Sequence, residues 1–167
     1  QEHRLVSSGV IAPIGMKNPT SGDFSVMLNA IHAAQSKHVF AYRGWEVETT
    51  GNPLAHAILR GSISKHGINL ERLHQMYAKS NLENMALIID CNHSNSGKNY
   101  LEQRRICKEV LHSCRHNADI GNMVKGFMIE SYLVDGNQKV GEGVYGKSIT
   151  DACLGWEKSK ELILEIA

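Results

Sequence analysis

The chain has 167 residues and a hydrophobic content of 42%, which is enough for one buried core, so we expect a single domain. Its 18 basic and 17 acidic side chains give a net charge of +1 without a basic block, which argues against nucleic acid as a partner. No apolar run approaches the ~20 residues of a membrane helix, and no signal-peptide pattern begins the chain. The four cysteines form no CxxC pair, so we expect reduced thiols in a cytoplasmic protein.

Short apolar runs alternate along the chain with segments whose apolar residues recur at helical spacing and so form a stripe. After the end of a helix in residues 1–9, the apolar runs predict strands at about 13–17, 38–42, 56–59, 86–89 and 126–129. The stripes predict helices over 23–35, after Asn69, over 99–115 and at the end of the chain. Residues 43–56 alternate and then turn, which predicts a small β excursion.

This alternation predicts an α/β fold of about four βα units, with parallel strands joined by right-handed crossovers. A complete (β/α)8 barrel needs ~250 residues, so the chain is too short for one. The residues alone leave two architectures open, a small open α/β sheet or half of a barrel.

The stretch of residues 85–98, MALIIDCNHSNSGK, carries the first candidate for function. Its apolar run from Ala86 to Ile89 predicts a strand that is buried on both faces. Asp90 and His93 follow where such a strand emerges at its carboxyl end, which is the edge where parallel α/β folds bind ligands. The alternative is that His93 is a histidine in a polar loop.

Charged residues follow the other predicted strands in the same way. A parallel sheet would bring Lys17, Arg60, His93, Glu130 and Asp151 to one edge. One imidazole and two carboxylates, from His93, Glu130 and Asp151, suit a divalent metal such as Mn, Fe, Co or Zn. Lys17 and Arg60 have no partner nearby in the sequence and suit a phosphate or carboxylate. As alternatives, Lys17 is a solvated loop lysine and Arg60 pairs with an acid for structural reasons.

The last helix offers an alternative role for Asp151. With Ser148 or Thr150 as its cap, the helix would hold Asp151 near its N-terminus, where a carboxylate is favoured. The apolar residues that this helix is predicted to turn inward are Ala152, Trp156, Leu162, Ile163 and Ile166.

The cysteines are not expected to do chemistry. Cys107 and Cys114 lie on a helical stripe and are predicted to be small core residues. Cys91 lies beside the candidate site, but no base stands at a motif distance from it, so we do not expect it to be a nucleophile.

At these residues the sequence resembles the type I 3-deoxy-D-arabino-heptulosonate 7-phosphate (DAHP) synthases, which begin the shikimate pathway. The resemblance occurs in the family's order and spans nearly the whole chain. The matching stretches are Ile14-Gly15-Met16-Lys17-Asn18, Ile58-Leu59-Arg60-Gly61, residues 89–96 (IDCNHSNS), residues 130–138 (ESYLVDGNQ) and residues 145–153 (YGKSITDAC).

The resemblance implies an enzyme that condenses phosphoenolpyruvate with erythrose 4-phosphate and releases phosphate. It implies that His93, Glu130 and Asp151 ligate a divalent metal and that Lys17 and Arg60 contact phosphoenolpyruvate. Lys17 and His93 are the implied catalytic residues, with Lys17 the candidate for proton transfer. The implied fold is a (β/α)8 barrel, of which residues 1–167 would be the C-terminal half. The N-terminal half, with the family's fourth metal ligand, a cysteine, would then lie outside this chain.

Two hypotheses follow. In the first, the chain is the C-terminal part of an active DAHP synthase and is inactive by itself. In the second, it is a non-catalytic half-barrel that assembles with itself to cover its exposed apolar faces. We also expect a homo-oligomer.

Overall fold

The computed structural model of the protein describes residues 2–61 and 69–167. In chain order its elements are α1 (Glu2–Ser7), β1 (Gly15–Lys17), α2 (Phe24–Gln35), β2 (His38–Tyr42), β3 (Trp45–Thr49), β4 (His56–Leu59), α3 (Leu70–Ala78), β5 (Leu87–Asp90), a 3-10 turn (Tyr100–Glu102), α4 (Gln103–His116), α5 (Ala118–Met123), β6 (Val124–Met128), β7 (Val134–Asn137), β8 (Lys147–Ser148) and α6 (Trp156–Ile166).

The centre of the molecule is a four-stranded sheet in the order β1-β4-β5-β6. All its neighbouring strands run parallel, with Met16 opposite Ala57, Ile58 opposite Ile88, and Ile89 opposite Phe127. Strands that are neighbours in the sheet therefore present their carboxyl ends at the same edge. This confirms the predicted α/β class with a parallel sheet.

Polar side chains define where two of the helices begin. Asp23 accepts a hydrogen bond from Ser25 N at 2.8 Å and caps α2. Asn69 accepts one from Arg72 N at 2.9 Å and caps α3. Each cap satisfies a backbone N–H that has no partner inside its helix, so both helices begin close to their predicted positions.

The core lies between the helices and the sheet. On α2, α3 and α4 the buried residues recur at helical spacing and therefore lie on one side of each helix. The fully buried members of this core include Ile31 on α2, Leu73 on α3, Ile106 on α4, and Leu59 and Ile89 on the sheet.

The β excursion begins earlier than predicted. The strand predicted at residues 38–42 is present as β2, but it pairs antiparallel with β3 in a separate two-stranded sheet. The excursion therefore spans His38–Thr49, because the alternation of residues 45–49 provides the partner strand for the apolar run before it.

The prediction for the last helix is wrong in two respects. The helix begins at Trp156 with Gly155 at its cap position, so neither Ser148 nor Thr150 caps it. Leu162 is buried and Ile166 packs against the core, whereas Trp156 is 58% exposed and Ile163 is 56% exposed. Only one narrow face of α6 is covered, since a helix that packs on one side buries a stripe and leaves the rest in solvent.

Within residues 2–61 and 69–167, every helix is too short or too polar to cross a bilayer.

Candidate metal and anion site

Three side chains converge at the carboxyl edge of the sheet. His93 Nε2 lies 3.3 Å from Glu130 Oε1 and 3.7 Å from Asp151 Oδ2. One ligand atom from each residue lies within 4.8 Å of the other two. Two donors bound tetrahedrally to one ion at ~2.1 Å are roughly 3.4 Å apart. The three donors are therefore spaced to hold a single divalent ion.

The first two of these residues follow strands of the sheet, and the third lies in a loop. His93 follows the last residue of β5 by three positions and has a positive φ of 46°. Glu130 follows the end of β6, the neighbouring strand. Asp151 lies in the loop between β8 and α6, five positions before the helix. It is therefore not a first-turn acid of α6, and that alternative is wrong.

Asp90, the last residue of β5, is completely buried and contacts two functional side chains through one oxygen. Its Oδ2 lies 2.6 Å from Lys17 Nζ and 2.7 Å from His93 Nδ1. Its Oδ1 accepts a hydrogen bond from Asn92 N at 3.0 Å. Nδ1 of His93 therefore faces the carboxylate of Asp90, and Nε2 faces Glu130 and Asp151.

Glu130 is held at both its side chain and its backbone. Asn92 Nδ2 donates to Glu130 Oε2 at 2.7 Å, which leaves Oε1 on the side of His93. The buried Gln103 on α4 forms a pair of bonds with the Glu130 backbone, donating to its oxygen at 3.0 Å and accepting from its nitrogen at 2.8 Å. A carboxylate that is only partly buried is thereby kept in one orientation.

Arg60 follows β4, which lies between the strands that lead to Lys17 and His93. Its backbone N donates to Asn18 Oδ1 at 2.7 Å, and Asn18 Nδ2 donates to Gly61 O at 3.0 Å. Among the residues that the structure describes, Arg60 Nε is buried and has no hydrogen-bond partner. A buried guanidinium donor without a partner is costly, so the position favours an anion as its ligand.

Asp151 is the most exposed of the three candidate ligands, at 39%. Its second oxygen, Oδ1, lies 3.4 Å from the exposed Lys98 Nζ. A pair as exposed as this contributes little stability because water and salt screen it. Lys98 therefore leaves Oδ2 of Asp151 free to face His93.

Cys91 is buried beside the site and shares a hydrogen bond with Cys107, with 3.3 Å between the sulfur atoms. This bond, together with burial, raises the pKa of the Cys91 thiol far above its ordinary value. A thiol with such a pKa stays protonated and is a poor nucleophile. The prediction that Cys91 is not a nucleophile agrees with this environment.

The structure places Lys17, His93, Glu130 and Asp151 in one connected cluster, with Arg60 at the strand tip between Lys17 and His93. Their roles in binding and catalysis remain predictions. Sequence reasoning placed Asp90 at the strand tip without giving it a role, and it missed the supporting residues Asn18, Asn92 and Gln103. Asn18 and Asn92 were detectable because each adjoins a candidate residue, whereas Gln103 lies on a distant helix with no local signal.

A parallel α/β sheet with a candidate metal cluster at its carboxyl edge describes a broad class of proteins that bind ligands at this edge. The sequence profile of the DAHP synthetase I family matches residues 1–164, and the chain belongs to that family. The resemblance found in the sequence is thereby confirmed.

Several members of the family are similar to this chain over its whole length. The Phe-sensitive phospho-2-dehydro-3-deoxyheptonate aldolase of Escherichia coli K12 is 38% identical over 100% of this chain and 49% of its own length. A phospho-2-dehydro-3-deoxyheptonate aldolase of Corynebacterium glutamicum is 36% identical over 100% of this chain and 49% of its length. The solved structure of the aldolase from Francisella tularensis SCHU S4 superposes with a TM-score of 0.86 at 33% identity, covering 99% of this chain and 50% of that one. The chain thus spans about half the length of these relatives.

Proposed function

We propose that the protein carrying this chain is a DAHP synthase, which condenses phosphoenolpyruvate with erythrose 4-phosphate in the first step of the shikimate pathway. The cluster of His93, Glu130 and Asp151, joined to Lys17 through Asp90, is the observation that carries this proposal. Membership of the family supports it. The cytoplasm is the expected compartment, since all four cysteines are free thiols.

His93, Glu130 and Asp151 are the residues that would hold a divalent metal, through Nε2, a carboxylate oxygen of Glu130 and one of Asp151. Mn, Fe, Co and Zn all accept such a mixed nitrogen and oxygen set. When bound, the metal would polarise the aldehyde oxygen or a water molecule. Asp90 supports this set by holding the ring of His93 from its other nitrogen.

Lys17 and Arg60 would bind the anionic groups of phosphoenolpyruvate. The buried Nε of Arg60, without a partner among the described residues, supports this role, since a planar guanidinium can hold a carboxylate or phosphate through two hydrogen bonds. Lys17 Nζ is 2.6 Å from Asp90 Oδ2 and its side chain is 30% exposed, so it is held in place and still reachable by a ligand.

In the proposed reaction, carbon 3 of phosphoenolpyruvate bonds to the aldehyde carbon of erythrose 4-phosphate. Water adds at carbon 2, and the bond from that carbon to the phosphate oxygen then breaks, which releases inorganic phosphate and leaves a ketone. The new hydroxyl group needs a proton, and Lys17 is our candidate to transfer it. Lys17 and Arg60 would also balance the negative charge gathered by two phosphorylated substrates.

The four-stranded sheet is proposed to be one half of a (β/α)8 barrel, the C-terminal half. Its four parallel strands in sequential order support this, as does the superposition on half of a family member. Half of the substrate contacts would then lie outside residues 1–167. We therefore expect the 167-residue chain to have no measurable synthase activity alone, and robust turnover by a chain of verified mass would contradict that expectation.

Metal binding by a His93→Ala variant tests the proposed site. We expect this change to abolish stoichiometric binding of Mn²⁺ or Co²⁺, because it removes the only nitrogen donor of the cluster. Isothermal titration and the visible absorption of bound Co²⁺ would measure the loss.

His32→Ala is the matched control, since His32 is exposed on α2. This variant should bind metal as the parent protein does. A tight stoichiometric metal that survives His93→Ala would show that the ligand assignment, and with it the proposed chemistry, is wrong.

A further inference from the structure

Asn92 connects the three candidate ligands more directly than any residue so far assigned to the site. It is 1% exposed and precedes His93 in the chain. Its Nδ2 donates to Glu130 Oε2 at 2.7 Å and to Ala152 O at 3.3 Å. Ala152 adjoins Asp151, so one amide group contacts Glu130 directly and contacts the backbone beside Asp151, while Asn92 itself adjoins His93.

The orientation of this amide is itself determined by a hydrogen bond. Ser96 Oγ donates to Asn92 Oδ1 at 2.8 Å, and Ser96 is also buried. A hydroxyl that donates to the amide oxygen leaves the NH2 group facing Glu130, where both of its hydrogens find acceptors. The reversed amide would place an oxygen against a carboxylate and a carbonyl, which is unfavourable.

We propose that Asn92 is a positioning residue for the metal site. Its amide holds Oε2 of Glu130 and the backbone beside Asp151, so that Oε1 of Glu130 and Oδ2 of Asp151 stay within reach of an ion on His93 Nε2. Asn92 itself does not contact the ion. This inference rests on the proposed function, since it requires that the cluster binds a metal.

The physical reason is the cost of ordering the ligands. Glu130 and Asp151 have side chains that are 21% and 39% exposed, so each would otherwise sample several rotamers. The neighbours of a metal's ligands orient those ligands, and their loss typically reduces metal affinity by about 10- to 100-fold.

The test compares Mn²⁺ and Co²⁺ binding to the metal-free protein and to Asn92→Ala. We expect dissociation constants that rise by about 10- to 100-fold, together with an altered visible spectrum of bound Co²⁺, because the carboxylates no longer reach the ion in the same way. The spectrum is the readout that a merely structural role would leave unchanged.

Asn52→Ala is the matched control. Asn52 is another buried asparagine, and its Nδ2 donates to Ala12 O at 2.9 Å while its Oδ1 accepts from Leu54 N at 3.0 Å. It precedes β4, at the edge of the sheet opposite the site. Both variants should lower the melting temperature, but only Asn92→Ala should change metal affinity and the Co²⁺ spectrum.

Ser96→Ala keeps the inference testable if Asn92→Ala does not fold. It leaves Asn92 in place but removes the bond that orients its amide, so metal affinity should fall by less than in Asn92→Ala. Unchanged affinity and spectrum in a folded Asn92→Ala, or in Ser96→Ala where only that variant folds, would overturn the inference.

The His93→Ala variant separates the two possible failures. If His93→Ala abolishes metal binding while the Asn92 and Ser96 variants bind as the parent does, only the role of Asn92 is wrong. If the parent and His93→Ala bind metal equally, the ligand assignment is wrong, and with it the proposed function.

Discussion

Asp90 is a buried carboxylate whose desolvation is offset by the groups around it. An isolated buried charge would be strongly unfavourable. Here Lys17 Nζ and His93 Nδ1 contact Oδ2, and the backbone N of Asn92 donates to Oδ1. Asp90 therefore links a candidate metal ligand to a candidate substrate cation, and it defines the direction in which each of them points.

We predict that Asp90→Asn weakens metal binding by about 10- to 100-fold. An amide has one acceptor atom where the carboxylate has two. In one orientation its NH2 group faces the backbone N–H of Asn92, and in the other it faces Lys17 and His93. The ring of His93 then loses its defined orientation. Titration of the metal-free variant with Mn²⁺ measures the effect.

Asp23→Asn is the control for the same chemical change. Asp23 caps α2, and asparagine caps a helix about as well as aspartate does, so the fold and the metal affinity should be retained. Parental metal affinity in a folded Asp90→Asn variant would contradict the role assigned to Asp90.

The loops after β4 and β5 approach each other so closely that only glycine fits at one position. Gly61 has a φ of 78°, and a Cβ there would lie 2.3 Å from Asn95 Oδ1 and 2.8 Å from Asn95 N. Asn95 Nδ2 in turn donates to Leu59 O at 3.1 Å and to Asp90 O at 2.7 Å. This contact joins the tips of the two strands that carry Arg60 and Asp90.

We predict that Gly61→Ala lowers the free energy of unfolding by about 1–3 kcal/mol more than Gly44→Ala does. Both glycines have a positive φ, but a Cβ added at Gly44, in the turn between β2 and β3, would meet no atom of the described residues within 4 Å. The comparison isolates the close approach from the backbone conformation. Urea unfolding curves measure it, and equal losses would contradict the packing argument.

At the level of the whole molecule, β1 and β6 are the outer strands of the sheet, and several large apolar side chains are exposed. Trp45 and Tyr145 are 76% and 89% exposed. Outer strands and exposed apolar surface promote association. A half-barrel by itself would leave such surfaces uncovered, which is the reason to expect it to associate.

We predict that the 167-residue chain self-associates in solution. Light scattering over a range of micromolar concentrations should give masses that are multiples of the 18.5 kDa chain or that rise with concentration. A constant mass of one chain across that range would contradict this prediction.

The sequence by itself determined the fold class, the positions of the main strands and helices, and the five residues expected at the sheet edge. Hydrophobic periodicity is a local signal, and parallel strands necessarily gather their carboxyl ends at one edge. This is why Lys17, His93 and Glu130 were placed correctly from runs of apolar residues that end in polar ones.

Only the tertiary structure decided how the side chains between those residues are used. Asp151 lies beside His93 and outside the last helix. Strand β2 pairs with β3 and not with the central sheet, and the side chain of Trp156 is exposed to solvent. The contacts that Asp90, Asn92 and Gln103 make with the candidate ligands were likewise not visible in any local pattern. Each of these outcomes depends on contacts between distant segments, and periodicity shows that a face is apolar without showing what covers it.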